Sequence, residues 1–358
     1  MDVSPFEFQG PVPPDRFQGR DDLIADLTRR VTERRVTALL GPRRFGKTSV
    51  LQRLAADLTE TATVYVDLYG VQTMADVATR LDRALVRSDG PFATSAGSIA
   101  ATVGIDLGLV NAEFAKPRRE QPDAATRLTQ LLDVFLETAA RVPALLVIDE
   151  FSDIGRVDNA AALLRTQLQH HYRDVGLLFA GSHPSTMRQM FTDREQPFYG
   201  QADIVVIGPL AAATLHAIIH DGFATTGRDA GSVVSHIHHL AAGHPQRSMF
   251  LADAAWRHTP RGVTADDHWP EALAAARAQI DVFMPAIHDE LTVSEQRLLR
   301  VLAHGQPPYG AKAEQLGLTP GSATNARKQL THRGHLNDDG SLVDPLFADW
   351  FRRTLPLA

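Results

Sequence analysis

Six residues in two short stretches carry the chemistry this chain could do. In "LLGPRRFGKTSVLQRL", starting at Leu39, Gly41 and Gly46 are followed by Lys47 and Thr48 in the spacing G-x-x-x-x-G-K-[ST]. That pattern suits a phosphate: the glycines let backbone N–H groups wrap a β-phosphate, and the start of a following helix adds its positive end. Lys47 would bridge β- and γ-phosphates, and the hydroxyl of Thr48 would be a ligand for Mg²⁺. The intervening Pro42, Arg43, Arg44 and Phe45, with Ser49 just beyond, complete the candidate phosphate loop.

A magnesium site needs a carboxylate from a neighbouring strand. "LLVIDE" provides it: Asp149 would hold Mg²⁺, mostly through water, and Glu150 would polarise or deprotonate the attacking water. A surface strand that ends in two acids is the plain alternative for the dipeptide alone. An acid directly after the metal ligand points to hydrolysis of a nucleoside triphosphate rather than transfer to an acceptor. The run "LLFAGSHPS" ends in Ser182, which could hydrogen-bond the γ-phosphate or the water, or simply form a turn. His183 is the weaker candidate beside it.

The elements that must position these residues follow from hydrophobic patterning. Short β-type runs at Val36, Thr63, Ala144 and Gly176 alternate with amphipathic helical stretches. Continuous apolar strands separated by helices predict a parallel sheet covered on both faces. The loop therefore sits between a strand and a helix, as its chemistry requires. A stretch from Ile99, "IAATVGIDLGLVNAEFA", reads as a hairpin or loop beside the sheet.

Composition sets the outer limits. The 358 residues exceed one ordinary core, and 44% hydrophobic with 22% charged residues describes a globular chain. The absence of cysteine excludes disulfides, thiolate metal sites and a cysteine nucleophile. A formal charge of -6 gives no global attraction to nucleic acid. No secretory leader or apolar span is evident, so the expectation is a cytoplasmic protein with no membrane association. "HIHH" from His236 invites a metal, but successive residues on a helix face different ways, which argues against it.

Taken together, "FQGRDDL" at Phe17, "GPRRFGKTS", "LLVIDEF", "AGSHPSTM" and "GHPQR" resemble, in order, the motifs of the AAA+ and STAND class of P-loop ATPases. The likeness is greatest to the archaeal-type ATPase family related to origin-recognition ATPases. The resemblance implies an α/β P-loop NTPase sheet of AAA+ type, a small helical lid and a winged helix-turn-helix. It implies ATP and ADP as ligands with Mg²⁺, and ATP rather than GTP. Phe17, Gly19 and Arg20 would lie against adenine and ribose; Pro245 would touch the base or sugar, and Arg247 would sense the γ-phosphate. The sequence departs from the family at "PFYGQ", where many relatives carry an arginine and this chain has Gln201. If that arginine serves a neighbouring active site, hydrolysis here would be slow or dependent on a partner, with Arg188 or Arg194 as substitutes.

The expected organisation is an arm over 1–16, a nucleotide domain over 17–208, a helical lid over 209–290 and a winged domain over 291–358. Nucleotide would favour one arrangement of lid and winged domain over another, giving a switch. In the last segment Arg327, Lys328 and Arg333 could reach DNA phosphates, whereas Asp338 and Asp339 at the wing turn would repel them. The alternatives to the switch are a DNA-binding regulator or loader gated by ATP, and a nucleotide-bound scaffold with negligible hydrolysis. A homo-oligomer or another protein is the expected partner.

Overall fold

Five strands run parallel in the order β2-β3-β4-β1-β5. In this computed structural model, residues 2–88, 90–94 and 122–357 are described; the hairpin expected from Ile99 lies outside them. The strands are β1 (Thr37–Leu40), β2 (Ala62–Asp67), β3 (Ala144–Asp149), β4 (Gly176–Gly181) and β5 (Asp203–Val206). Every residue of β1, β3 and β4 is buried, which is why these runs are apolar without alternation. At the edges, β2 alternates and β5 is half-exposed.

The helices α1 (Asp21–Thr32), α2 (Lys47–Asp57), α3 (Met74–Arg87), α4 (Ala124–Ala139), α5 (Ala160–Leu168) and α6 (Pro184–Thr192) accompany the sheet. Local chemistry fixes their starts. Thr73 and Asp76 form a capping box on α3, and the Asp123 carboxylate accepts from Ala125 N and Thr126 N to open α4. One face of the sheet, with Val64, Val66, Leu146, Ile148, Leu177 and Phe179, packs in one apolar cluster with Leu81, Leu85, Leu132 and Phe135 of α3 and α4. Each such fully buried side chain contributes about 1.5–3 kcal/mol relative to exposure.

The chain forms two compact units. The sheet unit comprises Asp21–Gly41 and Lys47–Ile207; the other comprises residues up to Arg20, Pro42–Gly46 and Gly208 onward. This second, helical unit contains α7 (Ala212–Ala224), α8 (Val233–Ala241), α9 (Pro245–His258), α10 (Trp269–Asp281), α11 (Met284–Asp289), α12 (Val293–Ala303), α13 (Ala311–Gln315), α14 (Pro320–His332) and α15 (Pro345–Thr354). A single apolar cluster links Leu215, Ile237, Leu251 and Trp269 to Leu298, Leu330, Phe347 and Phe351. The N-terminal arm joins it: the Phe6 ring packs against that of Phe223, tilted by 45° with 5.6 Å between centroids. A Cβ on Gly222 would meet the Phe6 ring at 2.6 Å, so only glycine leaves the arm its seat.

Between α14 and α15 the chain makes a tight turn. Leu336 bridges antiparallel to Leu342, and Asn337 N donates to Ser341 O at 2.8 Å. Asp338, Asp339 and Gly340 form its tip, with the Asp339 carboxylate accepting from Ser341 N and Oγ. Among the described residues no helix is long and apolar enough to cross a membrane, and no cluster of three or more His, Asp or Glu side chains could hold a metal ion.

Candidate nucleotide site

In the sheet unit, β1 ends at Leu40 and α2 begins at Lys47. Gly41 starts the loop under close packing: a Cβ there would lie 2.2 Å from Ile207 Cγ2 and 2.9 Å from its carbonyl oxygen. Gly46 has φ +84° with open space where a side chain would be. It therefore turns the backbone into the left-handed region at no steric cost just before the helix. Arg44, at φ 66°, adopts that conformation with a side chain. Lys47 is 4% exposed, and its Nζ donates to Gly41 O at 2.8 Å. Such a cation, folded over its own loop, is chemically suited to an anion. Ser49 is buried one residue beyond Thr48.

The carboxylates come from the ends of the central strands. Asp149, the last residue of β3, accepts from Thr48 Oγ1 on Oδ2 at 2.9 Å, from the Tyr65 hydroxyl on the same oxygen, and from Glu150 N on Oδ1 at 2.9 Å. Glu150 itself has φ 51° and ψ 39°, a left-handed conformation that costs a non-glycine residue about 1–2 kcal/mol. Its carboxylate accepts from Ser182 N at 3.1 Å and from Ser182 Oγ. Ser182 follows β4, which neighbours both β3 and β1. His183, next in line, is the N-cap residue of α6, and its Nδ1 approaches Ser152 Oγ at 3.5 Å.

The structure thus brings Lys47, Thr48, Asp149, Glu150 and Ser182 to the C-terminal ends of adjacent parallel strands, where open α/β sheets bind ligands. The oxygen set offered by Thr48 and Asp149 is hard and partly anionic, which fits Mg²⁺. Tyr65 is the participant that sequence reading missed. The only local hint is its place in "TVYVDL", two residues after Thr63 and two before Asp67, on the face opposite Val64 and Val66. Burial, then the Asp149 charge, pushes the Tyr65 phenol pKa up, so it stays a donor.

The remaining sequence candidates lie in the helical unit, which includes Pro42–Gly46. Phe17 is half-buried after a short 3-10 turn. Gly19, at φ +75°, cannot carry a Cβ without striking Thr214 Cγ2 at 2.3 Å. The Arg20 Nη2 donates to Gly208 O at 2.8 Å and Phe45 O at 3.3 Å, and burial lowers its pKa to about 10. Phe45 packs on His244 with 4.7 Å between ring centroids. His244 caps α9, accepting from Arg247 N on Nδ1 at 3.4 Å, and Pro245 occupies the first turn. Burial lowers the His244 pKa to about 4. Arg247 is buried and held by Asp344, which caps α15. In the sheet unit, Gln201 donates to Tyr199 O at 3.2 Å.

Residues 29–190 match the family model of an AAA domain. The stretch runs from α1 into α6 and contains the loop, both carboxylates, Tyr65 and Ser182. It covers fewer than half of the 358 residues. No curated protein matches the sequence. Among solved structures, a Walker-type ATPase of Pyrococcus abyssi is similar with a TM-score of 0.68 at 17% identity, over 97% of this chain and 99% of that one. The ORC1 protein of Aeropyrum pernix, solved in complex with DNA, is similar with a TM-score of 0.50 at 16% identity, over 95% and 94% of the two chains. At such identities the likeness is one of fold. Strand order, loop and AAA match together define that fold as a P-loop nucleoside triphosphatase fold of the AAA type.

Proposed function

We propose that this chain binds ATP with Mg²⁺ and hydrolyses it slowly, as a molecular switch of the STAND and AAA+ kind. The observation that carries this reading is the hydrogen bond between Thr48 and Asp149, 101 residues apart, beside a left-handed Glu150. Backbone amides from Gly41 to Ser49 and the Lys47 ammonium would bind the β- and γ-phosphates. Thr48 and Asp149 would hold Mg²⁺, which when bound neutralises developing charge on the phosphates. Glu150 would take the proton of the attacking water, and Ser182 would orient that water or the γ-phosphate. Adenine is inferred from family resemblance, with Phe17, Gly19, Arg20 and Pro245 as its expected neighbours.

Slow turnover has a physical reason in this reading. The Glu150 carboxylate is oriented by the two donors of Ser182, so a water must reach one of its remaining lone pairs in that orientation for it to act as a base. Arg247 is held by Asp344 through Nε and Nη2, which fixes where its remaining N–H groups could meet a γ-phosphate, and Gln201 stands where many relatives place an arginine. The switch output would travel through Asp344 and α15, at the end of the segment read as a winged helix. Phosphate release by the full chain, compared with Glu150→Gln, tests the hydrolase; equal and negligible release from both overturns it.

A second reading, an ATP-gated DNA regulator, is motivated by the fold likeness to a DNA-bound ORC1 protein. Two features weigh against it. Arg327 of α14 donates to Asp338 O of the turn, and Asp339 at the tip is held below the usual carboxylate range by Ser341, so it stays anionic. Filter binding of labelled duplex to the full chain, read against salt, tests it.

A further inference from the structure

Three donors from three different parts of the fold converge on one carboxylate, and two of them lie outside the phosphate loop. Thr48 belongs to α2, Glu150 N follows β3, and Tyr65 belongs to β2. The register pairs Tyr65 with Val147 and Asp67 with Asp149. Asp67, the direct neighbour of Asp149, is turned to its own loop, where it accepts from Tyr69 N at 2.8 Å. Tyr65 is therefore the residue of β2 that reaches across to Asp149, and it does so on the same oxygen, Oδ2, that faces Thr48.

We propose that Tyr65 is a positioning residue: its hydroxyl fixes the Asp149 carboxylate against Thr48 and thereby sets the affinity of the site for the divalent cation. The proposal rests on the reading of Thr48 and Asp149 as the Mg²⁺ pair. Torsion about the bond to a carboxylate is broad and two-fold, so a carboxylate held on one side only samples many orientations. Thr48 keeps its lone pairs for a cation only if its proton points to a fixed acceptor. Glu150 N fixes Oδ1, and Tyr65 fixes Oδ2. Removing the phenolic oxygen leaves the ring in place but frees Oδ2 to swing away from Thr48.

Partners that orient metal ligands typically change metal affinity about 10–100-fold when removed. The test is binding of fluorescent ADP to the full chain, titrated with MgCl₂ and repeated in EDTA. For Tyr65→Phe the Mg²⁺ midpoint should rise about tenfold, at the low end of that range, while affinity in EDTA stays that of the wild type. In an Asp149→Asn background the same substitution should shift nothing. An unchanged midpoint, an equal loss in EDTA, or a persistent shift in the Asp149→Asn background each overturns the proposal. Wild-type protein that binds no ADP in either buffer would instead overturn the reading on which it rests, and is distinguished by that absence of binding.

Discussion

Arg247 donates through Nε to both carboxylate oxygens of Asp344, at 3.0 and 3.1 Å, and through Nη2 to Oδ2. The two residues lie 97 positions apart. Arg247 sits in the first turn of α9, and Asp344 is the N-cap of α15, accepting also from Leu346 N at 3.0 Å. The arginine that family resemblance casts as a phosphate sensor is thus also the ion-pair partner of the closing helix. The Asp344 pair engages Nε and Nη2, so in the sensor role a phosphate would have to be met by the remaining N–H groups of the same guanidinium.

Breaking this pair should be costly. With Arg247 buried, removing its acid strands a cation, a change typically worth about 3–5 kcal/mol. Loss of the α15 cap adds about 1 kcal/mol. Asp344→Ala should therefore lower the urea midpoint clearly, and Arg247→Leu should lower it less. In the double variant the two effects should not add. Additive losses would show that the pair is not coupled.

His244 predicts a pH dependence. Its pKa is lowered by burial from 6.5 to about 4, so between these values the unfolded chain binds more protons than the folded one. Stability must then fall as pH drops from about 6.5 toward 4, and recover as pH rises. At about 1.4 kcal/mol per pKa unit, this single group contributes up to about 3 kcal/mol. His335, also lowered chiefly by burial, acts with the same sign. Denaturant unfolding at pH 7 and 5 should show the loss, and His244→Gln should reduce it; an identical pH slope in that variant would refute the assignment.

Lys47→Ala should leave the circular dichroism spectrum intact and remove nucleotide binding. A charge-assisted contact worth about 3 kcal/mol corresponds to a loss of roughly a hundredfold or more. Calorimetry with ADP and with ATP measures it. Retained affinity would contradict the role given to the loop.

Glu150→Gln should bind nucleotide as the wild type does but release phosphate about 10²- to 10⁴-fold more slowly, the range for removal of a general base. Ser182→Ala has the opposite interest. It removes the hydroxyl that holds Glu150, so single-turnover rates should change while the ADP affinity does not. An ADP affinity that drops with either substitution would place these residues in binding rather than chemistry.

Much of the sheet and of the loop was legible along the chain. Four strands were evident: β1, β3 and β4 because strands buried on both faces must be continuously apolar, and β2 from its β-type run "TVYVDL". The fifth strand, "DIVV" at Asp203, went unread. It is a short, half-exposed edge with too little burial to demand a strong pattern. The segment over 1–16 was expected only as an arm; the structure seats its Phe6 in the helical core.

The phosphate loop is a local object. Its glycines, lysine and threonine are contiguous, and the sterics that require glycine at φ +84° act over a few bonds, so the sequence alone determined it. The pairings that give the site its character are not local. Whether Tyr65 meets Asp149, Ser182 meets Glu150, or Asp344 meets Arg247 depends on strand order, register and helix packing. Hydrogen bonds demand placement to within a few tenths of an ångström, and only the folded chain decides distances that fine between residues so far apart in sequence.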